Sequence, residues 1–156
     1  MTTMNQRNSV RKRQRRGATT LEGALVLGVF LMFLMGALEL TLAVLEMNTL
    51  SVVARHVARQ AMVRGADCNT PLTTWGPATV TVKADQSHPV ADIARPILVT
   101  MTPANVEVTV SWPDGSTEYD NRVKVVAKAK HQSILPMLAS WFVSDLQSTS
   151  VMRITH

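Results

Sequence analysis

The chain has 156 residues, 46% of them apolar, with 16 Lys+Arg against 11 Asp+Glu, a single Cys and only seven aromatic residues. That length allows one modest domain with an appended segment and excludes a large multidomain enzyme. One Cys excludes an intrachain disulfide scaffold, so stability has to come from packing or assembly.

The formal net charge of +5 comes from one place. Residues 1–16 hold Arg7, Arg11, Lys12, Arg13, Arg15 and Arg16 and no acid, whereas the chain from Gly17 onward carries ten bases and eleven acids. A nucleic-acid surface should be built into the folded part of a domain, and here that part is nearly balanced and poor in stacking aromatics. No nucleic-acid partner is expected.

After the basic block, Ala18 to Leu38 is apolar except for Glu22, and Glu39 precedes a further apolar run to Leu45. Those 21 residues reach about 31 Å as a helix, the thickness of a hydrocarbon core. Six bases lie before the span and three, Arg55, Arg59 and Arg64, lie beyond it. The positive-inside rule therefore puts the N-terminus in the cytoplasm and the C-terminal region outside it. No small-x-small site follows the apolar run, which reads Ala37-Leu38-Glu39-Leu40, so the segment is expected to be retained rather than removed as a secretory signal.

Helical pattern continues past the span. From Glu46 to Arg64 there is no Gly or Pro, and Leu50, Val53, Val57 and Ala61 recur at helical spacing, with Arg55, Arg59 and Gln60 elsewhere on the circumference. Gly65 supplies a stop. One helix from Ala18 to Arg64 is predicted, about 70 Å long, and its outer half needs a surface to pack on.

Residues 66–156 alternate like strands. Val80 and Val82 alternate with Thr79, Thr81 and Lys83; Val106, Val108, Val110 and Trp112 with Glu107, Thr109 and Ser111; Val123, Val125, Ala127 and Ala129 with Arg122, Lys124, Lys128 and Lys130. Pro113-Asp114-Gly115-Ser116 is a turn, and Ser150–Thr155, with Met152 and Ile154 inward, is a fourth strand. Short helices are expected at Pro89–Met101, broken near Pro96, and at Pro136–Leu146. The fold class is α+β: a long N-terminal helix and a small antiparallel sheet laid over its apolar stripe. The segments divide as 1–17 leader, 18–45 membrane-spanning helix, 46–65 outer helix and 66–156 head.

A basic leader, Gly17, a short uncharged stretch, Glu22 and then an apolar helix resemble a type IV prepilin signal, with Gly at the cleavage position and Glu as fifth residue of the mature chain. Glu39, Met47-Asn48 and the run Val53-Ala54-Arg55-His56-Val57-Ala58-Arg59-Gln60-Ala61 are similar to the TadE-like family of the tight-adherence pilus system, as is the ending Ser150-Val151-Met152-Arg153. Family signals usually place Phe or Tyr after the Glu, and here Gly23 follows. The resemblance implies a non-enzymatic minor pilin or pseudopilin of the bacterial inner membrane that a membrane prepilin peptidase cuts between Gly17 and Ala18. It further implies, as partners, the pilus assembly platform, other minor pilins and the major pilin. The alternative is an uncut single-pass anchor whose head binds a ligand or envelope component.

The residues fit that processing independently. Gly17 offers no side chain to obstruct a narrow active site, and the six bases hold the leader at an anionic membrane surface. Glu22 costs about 2.5–3.5 kcal/mol inside a membrane segment. Cutting before Ala18 would create an ammonium four residues away on the same helical face, and Glu22 can meet that amine in its own chain or in a neighbouring subunit; a hydrated carboxylate near the headgroups is the alternative. Glu39 falls about 26 Å further along, with Glu46 one heptad beyond it, and both can contact bases of neighbouring pilus proteins or stand solvated at the outer boundary.

Other constellations point to no chemistry. Asp85, His88 and Asp92 match no ligand spacing, and the three carboxylates of Asp114–Asp120 could wrap Ca²⁺ but lack the EF-hand pattern. No phosphate loop or nucleophile elbow is present, so no catalytic residue, metal or cofactor is assigned. Cys68, in a polar stretch, reads as an incidental surface residue, and His56 and His131 as polar surface residues. Trp75, Trp112 and Trp141 with Phe142 are assigned to the head's core or a subunit contact, and Arg122, Lys124, Lys128 and Lys130 to the solvated face of an edge strand.

Overall fold

The computed structural model describes residues 3–68, 73–133 and 145–155, with side chains from residue 19 onward. It divides into two compact units, Met1–Leu40 and Thr41–His156. Helix α1 runs over Thr3–Met62. It begins well before the expected Ala18 because the leader, rich in Arg, Lys and Gln, has good helix formers and neither Gly nor Pro before Gly17.

Within the first unit the helix surface from residue 21 onward is apolar and bare: Leu21, Leu25 and Phe33 are 73%, 67% and 74% exposed. Among the described residues this is the one helix long and apolar enough to cross a membrane.

The second unit is the outer part of α1 and a sheet. Strands β1 (Val80–Lys83), β2 (Val106–Ser111), β3 (Arg122–Lys130) and β4 (Asp145–Arg153) lie in chain order, each antiparallel to the next. Each shows the expected period of two: Val106, Val108 and Val110 are buried on β2, and Val123, Val125, Ala127 and Ala129 on β3. They share one core with Leu50, Val53, Ala54, Val57, Ala58 and Ala61 of α1, the helical stripe read from the sequence. The three larger helix side chains, fully buried, contribute about 1.5–3 kcal/mol each. Small residues at 54, 58 and 61 give that stripe a low profile against the sheet.

α1 ends at Met62, whose carbonyl accepts from the Thr155 amide at 3.1 Å, and in the turn that follows the Trp75 amide donates to Arg64 O at 3.0 Å. Gly76, at φ +93°, lies so close to Trp112 that a Cβ there would come within 2.6 Å of the indole. Trp75 and Trp112 thus belong to the core, while Trp141 and Phe142 lie outside the described residues.

Four expectations need correction. The helix predicted over Pro89–Met101 breaks near Pro96 as expected but does not resume: α2 covers Pro89–Ala94 and passes into a 3₁₀ turn at Arg95–Ile97, since Pro96 has no amide to continue the ladder. The helix predicted over Pro136–Leu146 fails at its end, because Asp145 and Leu146 open β4; residues 136–144 lie outside the described residues. β4 therefore starts five residues before the expected Ser150, its Ser/Thr-rich first half lacking the apolar alternation that marks a strand. Finally, β3 is a central strand rather than an edge. Its bases occupy the sheet's exposed face, where Lys128 stands opposite Glu107 and Lys130 opposite Asp145.

Candidate assembly helix and its head-side contacts

Gly17 and Ala18 lie in the helical backbone of α1. Glu22 is exposed one turn further on, and among the described residues it makes no ion pair. With Thr19, Gly23, Val26, Leu27 and Phe30 it lines an open hollow of about 540 Å³ on the first unit's helix surface. Nothing lies within 4 Å of where a Cβ on Gly23 would be. The residue that follows Glu22 thus leaves open space beside the carboxylate.

Glu39 is 1% exposed, although its neighbours Leu38 and Leu40 are 59% and 57% exposed. A solvated boundary carboxylate does not describe it.

Glu46 also departs from the solvated reading, for a reason that lies within the second unit. Its Oε2 is 2.6 Å from His131 Nδ1, just beyond the C-terminal end of β3, with the two side chains only 16% and 3% exposed. The pair joins α1 to the end of a central strand, so His131 is a buried partner and not the surface residue its position suggested. Leu42, Met101, Asn105 and Lys130 are among the residues that line a cavity of about 240 Å³ beside it. His56, in contrast, is exposed as expected.

The acidic loop after β2 is organised by arginines. Asp114 receives the Arg122 amide at 2.8 Å and the Arg122 guanidinium at 2.6 Å, and Asp120 receives Arg153 at 2.7 Å. The side-chain hydrogen bond from Arg122, helped by the Arg122 amide, lowers the Asp114 carboxyl to about 2. Arg122 and Arg153 stand directly opposite each other in the ladder, and these two carboxylates neutralise what would be a like-charge pair. Two of the three carboxylates considered for Ca²⁺ are therefore occupied with guanidinium groups.

The Asp85, His88 and Asp92 set divides in the same way. His88 caps α2, its Nδ1 accepting from the Val90 amide at 3.2 Å, and Asp92 pairs with Arg95 at 3.1 Å. Among the described residues no group of three His, Cys, Asp or Glu side chains converges on a point that could hold a metal. Cys68 Sγ lies 3.2 Å from Thr74 Oγ1 in the loop after α1.

The Glu46–His131, Asp114–Arg122 and Asp120–Arg153 pairs carried no local sequence signal, since the first joins residues 85 apart and the others depend on strand register. Comparison with known proteins places the likeness in α1. Residues 17–59 match the family model of TadE-like protein, starting at Gly17 and ending three residues short of the helix terminus. No curated protein and no solved structure matches the chain.

Proposed function

We propose, from the TadE-like match over residues 17–59, that this chain is a minor pilin or pseudopilin of a tight-adherence pilus, matured by hydrolysis of the Gly17–Ala18 peptide bond. The observation that carries the proposal is that the matched segment begins at Gly17, where the basic leader ends, and runs on into the helix that is long and apolar enough to cross a membrane.

The role is structural rather than catalytic. Before scission the chain is a single-pass protein of the bacterial inner membrane, its leader cytoplasmic and its head outside. Hydrolysis leaves a carboxylate on the discarded Gly17 and an ammonium on Ala18. The leader's six positive charges, which hold the chain at the membrane, depart with it. What remains is an apolar helix able to pack laterally against similar helices, with one acid near its start.

Lipid and apolar side chains alone give such helices no preferred axial stagger. An ion pair between Glu22 of one subunit and the new amine of the next would set one, because each misaligned copy leaves an uncompensated charge in an apolar medium. The hollow beside Gly23 supports this reading by leaving space at the carboxylate. The partners are prepilin peptidase, the membrane assembly platform, other minor pilins and the major pilin; Glu39, 1% exposed within its own chain, is not offered to them.

The test separates scission from assembly. Glu22→Ala should be cut after Gly17 as efficiently as the parent chain and yet fail to enter filaments. Filaments containing the variant at parental levels would overturn the registry role.

A further inference from the structure

The sheet ends in two edges, β1 and β4. β4 pairs with β3 along its whole length on one side, and among the described residues no strand pairs with the other. Exposed edges of this length are normally blunted by inserted charge, Pro or a bulge. From Leu146 to Met152, β4 has no charged residue, no Pro and no Gly. The bases that would guard an edge stand on central β3.

We propose that β4 of one copy pairs with β1 of a second copy, so that the sheet continues from chain to chain. This goes beyond the pilus reading and rests on it in one respect, that neighbouring copies are anchored facing the same way.

Strand direction alternates across β1, β2, β3 and β4, so the two edges run opposite to each other. Two copies in the same orientation therefore bring β4 beside the neighbour's β1 in the antiparallel sense, the ladder already used throughout the sheet. A symmetric β4–β4 contact would instead use a two-fold axis and end the sheet after two copies. The head-to-tail contact uses a different edge on each copy and so can repeat from chain to chain.

Side-chain alternation then selects the register, because inward residues must meet inward ones. Val82 and Leu146 point toward the core, while Thr81, Lys83, Asp145 and Gln147 point outward. Among registers that keep all of β1 on β4, one sets Lys83 of the second copy opposite Asp145, Val82 opposite Leu146 and Thr81 opposite Gln147. It alone places the Lys against a carboxylate and the Val against a large apolar side chain. Shifting by two residues sets Lys83 against Gln147 and Val82 against Ser148.

Directly opposed residues lie at disulfide distance, so the pairing can be trapped in the full chain in its membrane. In a Cys68→Ser background, Thr81→Cys with Gln147→Cys should yield, on mild oxidation, a ladder of dimers and larger species that neither single cysteine gives. Asp145→Lys should reduce the yield by ~3-fold or more, and adding Lys83→Asp should restore it. Absence of crosslinks above the single-cysteine background would overturn the proposal, as would efficient self-crosslinking of Thr149→Cys, which reports the two-fold contact. Scission at Gly17, read on the same gels, distinguishes failure of this contact from failure of the pilus reading.

Discussion

His131 Nδ1 lies 2.6 Å from Glu46 Oε2, tying the end of β3 to α1 at a point where both side chains are largely removed from water. The pair closes the core at its Leu50 end, four residues along the helix from Glu46. Removing one member leaves a desolvated polar group facing its former partner, so Glu46→Gln or His131→Phe should destabilise the head by about 2–4 kcal/mol. The double variant Glu46→Leu/His131→Phe should recover much of that loss, because no orphaned group remains. Chemical denaturation of the purified chain in bicelles checks both; additive losses would mean that the two side chains do not act as a pair.

Gly76 should tolerate no side chain. A Cβ would meet the Trp112 indole at 2.6 Å, and φ +93° is a conformation that L residues adopt at a cost. Gly76→Ala is expected to lower stability by about 2–4 kcal/mol and to change the near-ultraviolet signal of Trp112. Gly115→Ala, with a positive φ of 73° but open space around it, should cost less, of order 1–2 kcal/mol.

The Asp114–Arg122 contact makes stability depend on pH in a defined window. Folding lowers this carboxyl from 3.8 to about 2, so between those values the unfolded chain binds a proton that the folded chain does not. The contribution is complete above about pH 5, where the unfolded carboxyl is also ionised, and is lost as pH falls through about 2. Replacing Asp114 with Asn should flatten the stability profile between pH 4 and pH 2 and leave its shape above pH 5 unchanged. An unaltered slope in the acid range would contradict the assignment.

Much of this architecture is legible in the chain because it is written in short-range periodicity. The alternation Val106, Val108, Val110 and Val123, Val125, Ala127 fixes two strands and their buried faces, and the spacing of Leu50, Val53, Val57 and Ala61 fixes the stripe they cover. β4 was legible only in its second half, since Gln147, Ser148 and Thr149 carry no apolar period. The rank of β3 as a central strand was not legible, because a strand with one charged face looks the same in sequence whether it has one neighbour or two. His131 is the same kind of case: an isolated imidazole after a strand reads as surface until the fold brings Glu46 to it.

The candidate site divides similarly. Gly17, Ala18, Glu22 and Glu39 follow from local pattern and resemblance, and the structure adds the hollow beside Gly23 and the burial of Glu39.

Scission before Ala18 can be read from the N-terminus of the chain recovered from membranes of cells that contain prepilin peptidase. Intact mass and end-group sequencing should show a product beginning Ala18-Thr19-Thr20. A chain that retains Arg11 to Arg16 under those conditions would contradict the pilin reading and leave an anchored binding module in its place.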